Sequence, residues 1–192
     1  MAENLGTYHI AADLQNYEVA RSNFFTLIVN DLDNITKTSY NPDLGEATEN
    51  DVIPNAQEVL KLAVDASSVP HFTLGVNEIR RGNSVIKYAT VPTFSEQSLT
   101  IRDYVGLDTK SVLMAWQGLA YNINTDRGGR MADYKKTCTL IEYTQDWQEV
   151  RRWILYGCFI SAINEDAFDV TSDGDRKITA SMPFDRAEMV IL

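Results

Sequence analysis

Two histidines, two cysteines and a scatter of carboxylates are the chemical raw material of this chain. A Ser-His-Asp site would have to draw on His9 or on His71, which stands beside Pro70, and no Gly-x-Ser-x-Gly turn is present to raise a nucleophile. Neither a Gly-x-x-x-x-Gly-Lys nor a Gly-x-Gly-x-x-Gly phosphate cradle occurs. Arg127-Gly128-Gly129-Arg130 has the composition to hold an anion, but it reads first as a flexible loop after a helix. The run from Asp169 to Asp175 hints at a calcium loop. The EF-hand pattern, however, asks for a carboxylate at the position that Ala180 occupies, so Asp173-Gly174 reads better as a turn. Trp147, Trp153 and Tyr156 suit a sugar-stacking platform, and they suit core or interface packing equally well. Cys138 and Cys158 are too few for a disulfide framework and read as buried thiols. The expectation is a chain with no catalytic site, no metal and no cofactor.

The composition narrows the partners. The chain has 192 residues, enough for a single domain with a real core, and 44% hydrophobic with 23% charged is ordinary globular usage. Seventeen basic residues against 27 acidic ones leave a net charge of −10, which argues against a phosphate-backbone binder and against docking on anionic membranes. No run approaches the ~18 apolar residues of a membrane span. The first residues are neither basic nor strongly apolar, so no signal peptide is expected.

The elements that would position any site are mostly strands. Residues 1–19 are mixed and polar and read as an N-terminal arm. Asn23 to Asn30 reads as a first strand. Leu60, Leu62 and Val64 alternate with Lys61, Ala63 and Asp65 and predict a half-buried strand. Phe72, Leu74 and Val76 predict another, with Ser84 to Ala89 as its hairpin partner across Arg80-Arg81-Gly82-Asn83. A strand from about Gln97 to Tyr104 leads into one helix. There Asp108 stands as N-cap, Leu107 and Val112 as a staple across it, and Val112, Leu113, Trp116 and Leu119 as the packing stripe. Asn122 to Met131 reads as a loop. Lys135 to Thr144 and Glu149 to Phe159 predict a second hairpin, and Ile178 to Phe184 a last strand. Pro183 puts that strand's end at an edge or past the pairing. The class is mainly β: an antiparallel two-sheet sandwich or barrel with one flanking α-helix.

Two connections concentrate the charge. The 31–56 segment carries Asp31, Asp33, Asp43, Glu46, Glu49 and Asp51 against the single Lys37, a net of −5. Ile160 to Asp175 carries five acids and no base, again −5, so the remainder of the chain sums to zero. Both are too long for hairpin turns, and connections of that length tend to carry function.

Seven motifs in order resemble a known family. They are Ala20-Arg21-Ser22-Asn23-Phe24-Phe25, Val64-Asp65-Ala66-Ser67-Ser68-Val69-Pro70, Thr93 to Ile101, the helix with Trp116, Met131-Ala132-Asp133-Tyr134-Lys135-Lys136, the hairpin ending Trp153-Ile154-Leu155-Tyr156-Gly157-Cys158-Phe159, and Lys177 to Asp185. Together, across residues 20–30 and 59–188, they resemble the tail tube protein of contractile-tailed bacteriophages. Tail-like bacteriocins and type VI secretion systems have related inner tubes. The resemblance implies a non-enzymatic virion structural protein made in the host cytoplasm. It implies a homo-oligomer of hexameric rings stacked into a tube, with a lumen walled by strands from all six subunits. It also implies sheath, baseplate and tail terminator proteins as partners, transient DNA passage without specific binding, and no membrane. The acidic 31–56 loop departs from the family's simpler connection. It is the candidate contact to an adjacent ring, expected to order when rings stack. A negative channel would suit DNA transit, since like charge keeps phosphates from sticking.

Three other readings remain open on the residues. Within the same class the chain fits a tube initiator or baseplate hub, or the inner tube of a tail-like bacteriocin. From another class it fits a monomeric carbohydrate-binding β-sandwich using Trp147 and Trp153, and more remotely a carboxylate-dependent hydrolase.

Overall fold

The structure is a computed structural model, and it describes residues 19–32, 35–41, 46–53, 55–104, 106, 109–123, 125–168 and 174–191. The arm through residue 18, with His9, lies outside them, as do Asp33, Asp43, Leu107, Asp108, Asp169 and Asp173.

Two antiparallel four-stranded sheets enclose the core. In the first, β1 (Phe25–Val29) pairs with β10 (Lys136–Tyr143), which pairs with β11 (Glu149–Cys158), which pairs with β14 (Arg186–Ile191). In the second, β12 (Ala162–Glu165) and β7 (Gln97–Arg102) flank β13 (Lys177–Met182), and β4 (Val64–Ser67) closes the far edge against β7. Alternation drives this layering: Gln97, Leu99 and Ile101 on β7 and Ile178, Ala180 and Met182 on β13 all point inward. They meet Leu27 and Val29 of β1, Cys138 and Leu140 of β10, and Leu155 of β11 in one apolar cluster. The inward period on β11 slips from Leu155 to Cys158 instead of Gly157, because Gly157 takes φ +71. A Cβ there would lie 2.2 Å from Asp185 Oδ2, so the site admits only glycine without rearrangement.

The helices close the open flanks of the core. Helix α2 (Thr109–Ala120) buries Val112, Leu113 and Trp116, and Leu119 packs partly buried on the same cluster. The Trp116 indole donates to the Tyr134 carbonyl at 3.0 Å, which ties α2 to the single-turn α3 (Met131–Tyr134). Between them the expected 122–131 loop folds back on itself as the short pair β8 (Tyr121–Asn122) and β9 (Arg127–Gly128).

Four expectations need correction. Residues 60–63 belong to a helix, not a strand: α1 (Ala56–Ala63) buries Ala56, Val59, Leu60 and Ala63 at helical spacing, while Leu62 faces out at 66% exposure. Among the described residues there are therefore two flanking helices and a further single turn. Within the 31–56 segment the described residues 35–41 and 46–53 are not loop but paired antiparallel strands, β2 (Ile35–Asn41) and β3 (Glu46–Ile53). The acidic 160–175 connection contains β12. The strand at Ile178 is not the last, and it lies centrally in its sheet; it ends at Met182, so Pro183 falls just past the pairing, and β14 follows.

Candidate assembly interface

One element stands apart from the body. Strands β5 (Phe72–Arg81) and β6 (Ser84–Phe94) form a two-stranded sheet of their own, longer than the alternation predicted. A two-residue turn, Gly82-Asn83, joins them, and Gly82 at φ +59 leads it as tight hairpins require. Every residue of β5 is exposed, and on β6 only Thr90 and Phe94 are half-buried. Isolated two-stranded hairpins are marginal in water, and among the described residues no strand pairs with either outer edge here.

The register divides the hairpin's side chains into two rows. Pairs Phe72↔Phe94, Leu74↔Pro92 and Val76↔Ala89 fall on one face, followed toward the tip by Glu78↔Lys87 and Arg80↔Val85. The root of this face continues the body core, since the Phe94 ring lies 5.8 Å from Phe72 and 5.7 Å from Phe184. Farther out Leu74 and Val76 are uncovered, and Glu78 and Lys87 form an ion pair at 3.2 Å. Pairs Thr73↔Thr93, Asn77↔Tyr88, Ile79↔Ile86 and Arg81↔Ser84 fall on the other face. An extra residue on β6 between these registers bends the strand, and Thr90 leans over Gly75, where a Cβ would lie 2.3 Å from its hydroxyl. Contiguous uncovered apolar side chains of this kind mark an interaction surface.

The remaining residues singled out in the sequence do not converge on a reactive centre. His71 is exposed, and its ring Nδ1 lies 3.5 Å from the Val69 carbonyl. Trp147 is exposed and meets Phe24 edge-to-face at 5.6 Å and Tyr143 at a tilt at 5.7 Å, whereas Trp153 packs against the core. No ring contact joins these two tryptophans among the described residues. Among those residues, too, no group of three His, Cys, Asp or Glu side chains is placed to hold a metal ion. No described helix is long and apolar enough to cross a membrane. Cys138 and Cys158 are free and buried, and burial pushes the Cys138 thiol well above its ordinary value, with Cys158 beside it adding to the rise. Of the acids at 31–56, Asp31 is exposed and takes φ 58, and Glu46, Glu49 and Asp51 lie on β3.

In the second acidic stretch, two of the described acids, Glu165 and Asp175, meet bases of the body. Glu165 receives Lys110 at 2.7 Å and also pairs with Arg176. The Lys110 hydrogen bond holds its carboxyl below the usual range, against a smaller opposing effect of desolvation. Asp166 accepts from the Lys177 backbone N–H at 3.1 Å, and Asp175 lies 3.8 Å from Arg102. These contacts pin β12, β13 and α2 together, a use that counting charges along the sequence does not reveal.

Comparison with known proteins gives the fold a setting. No protein-family model matches the chain, and no curated protein sequence does. Solved structures do. A chain of the PVC sheath–tube complex, an extracellular contractile injection system in its extended state, matches with TM-score 0.63 and 17% identity, covering 97% of this chain and 99% of that one. A chain from the PVC sheath/tube terminator matches with TM-score 0.61 and 18% identity over 90% of this chain and 96% of that one. A chain from the tube-terminating cap of the anti-feeding prophage matches with TM-score 0.61 and 14% identity over 91% and 92%. The mainly β, two-sheet fold is thus one found in contractile injection systems, over nearly the full length of both chains.

Proposed function

We propose that the chain is an inner-tube subunit of a contractile injection system, assembling as hexameric rings that stack inside a sheath. The observation that carries this reading is the β5–β6 hairpin: a long sheet fragment with both faces and both edges uncovered, on a fold shared end to end with a chain of a sheath–tube complex. In a closed ring such edges pair with neighbours, which removes the aggregation liability and drives assembly. The role is structural, with no chemistry of its own. The sequence motifs favour the phage form, a virion tail tube through which a genome leaves, with sheath, baseplate and terminator as partners. The structural likeness to extracellular systems favours a tube of the tail-like kind.

A second position has its own support. The terminator and cap chains match as well as the sheath–tube complex chain does to within 0.02 in TM-score, so a ring that ends the tube is the competing placement. Mass measurement in solution with negative-stain microscopy of the purified chain tests both. Rings that polymerise into tubes are the expected outcome, rings that never stack would identify a terminal ring, and a persistent monomer that binds glycans would reject the tube reading.

A further inference from the structure

Three sulfur atoms come together in the core. Cys138 on β10, Cys158 on β11 and Met182 on β13 are each 0% exposed, and Cys138 Sγ stands 3.8 Å from Met182 Sδ. Cys158 is beside Cys138, close enough to act on its ionisation. In register Cys138 faces Leu155 and Cys158 faces Lys136, so the two thiols meet diagonally, which suits contact through their sulfurs more than a direct bond between them. The slip of the inward period at Gly157 is what brings Cys158 to this side of β11. Since β10 and β11 belong to one sheet and β13 to the other, the cluster spans the sandwich.

Packing alone explains a single buried cysteine or methionine, because both serve as apolar side chains. Two thiols and a thioether converging from three strands also make a donor set, and its chemistry selects the ion. Two ligands held ~2.3 Å from one trigonal ion stand about 4 Å apart, close to the Cys138–Met182 separation, so the sulfurs need little rearrangement to enclose one. Zn(II) asks for four nitrogen, sulfur or carboxylate ligands, and a thioether is a poor one for it. Thiolate and thioether together suit Cu(I). Charge points the same way, because Leu140, Leu155, Ile160 and Ala180 belong to the same apolar cluster and a net charge there would be costly. One thiol gives its proton to water as the cation binds, and the resulting thiolate cancels a single positive charge. The second thiol and the thioether donate as neutral ligands, and no electron is transferred. We infer that Cys138, Cys158 and Met182 form a closed site for one soft monovalent cation, Cu(I) by its chemistry, that ties the two sheets together. The inference concerns the subunit body and does not depend on the tube reading.

Metal titration of the full chain tests the site, whatever its oligomeric state. Because the sulfurs are inaccessible in the folded chain, Cu(I) is supplied anaerobically during refolding, with Zn(II) as the contrasting ion. The expected result is one Cu(I) per chain retained through desalting, with ultraviolet thiolate-to-copper charge-transfer absorption and native circular dichroism. The melting midpoint should rise by about 5 °C or more once free Cu(I) exceeds its Kd about a hundredfold, since the unfolded chain does not hold the three strands together. Cys138→Ala should lose the retained ion. Met182→Leu, a nearly volume-conserving change that keeps the core filled, should fold as wild type does without metal, keep the thiolate band and bind Cu(I) more weakly in competition with a Cu(I) chelator. Met182→Leu binding as tightly as wild type would overturn the three-sulfur site. Retention of Zn(II) to the same extent would overturn the soft-ion assignment. A wild-type chain that retains no Cu(I), or retains it only with loss of the native spectrum, would overturn the inference altogether while leaving the tube reading untouched.

Discussion

The body and the β5–β6 hairpin are built from the same alternating pattern, yet they solve the burial problem differently. On β7, Leu99 and Ile101 lie between two sheets and are essentially inaccessible. On β5, Leu74 and Val76 have the same spacing and the same chemistry, and about half or more of each remains in water. Burial of these β7 side chains is intramolecular; burial on the hairpin awaits a second chain. The body should therefore respond to substitution as a monomer does, and the hairpin only on assembly.

The sharpest way to separate the two is to damage the body. Trp116→Ala removes the largest fully buried side chain and leaves the Tyr134 carbonyl without its donor, and should destabilise the subunit by about 3–5 kcal/mol. Thermal melting reads this directly, and an unchanged melt would show that the α2 stripe is not core. Next comes Gln97, buried at the start of β7, whose amide donates to Ser67 Oγ at 2.6 Å and to the Ser68 carbonyl at 2.9 Å. Gln97→Ala removes two side-chain hydrogen bonds that join β7 to the end of β4 and should cost about 1 kcal/mol in chemical denaturation, the Ser68 carbonyl keeping the Ser67 hydroxyl as a donor.

A smaller, pH-resolved effect belongs to Glu165. Its folded carboxyl ionises below the unfolded value because Lys110 and Arg176 favour the charged form, so its contribution is present at neutral pH. That contribution fades as pH falls through the folded value, below an unfolded reference of about 4.3. Wild type should accordingly exceed Glu165→Gln in stability at neutral pH, with the gap closing in acid. A gap that widened on acidification would contradict the pairing.

The smallest effect on the subunit should come from the hairpin. Val76→Ser is expected to move the melting of the dilute subunit by no more than about 0.5 kcal/mol, as for an exposed site, and yet to abolish or strongly weaken ring formation. A large loss of monomer stability would erase the distinction between the two regions.

How much of this the sequence discloses depends on whether local pattern or distant covering decides the outcome. The two-sheet body is legible because Leu99, Ile101, Ile178 and Ala180 alternate with polar neighbours, and the Trp116 helix because its stripe repeats at helical spacing. Residues 60–64 mislead because Leu62 is an apolar residue on the solvent face of a helix, so Leu60, Leu62 and Val64 imitate a strand. The β2–β3 pair is hidden by its composition: Thr, Ser, Asn and Glu leave no apolar period, and Asn and Glu are poor strand formers. Strand β14 is hidden by Met189-Val190-Ile191, an unbroken apolar run at the chain's edge. The alternation of Phe72, Leu74 and Val76 is readable, but nothing local to it tells that its apolar face has no cover within the chain.

Hydrogen exchange of the full chain, compared between dilute subunit and assembled rings, tests the central claim most directly. Amides along the outer edges of β5 and β6 should exchange rapidly in the subunit and become protected on assembly, while β7, β10 and β13 are protected in both states. Hairpin amides already as protected as β7 in the dilute subunit, or still unprotected in the assembled ring, would contradict the account.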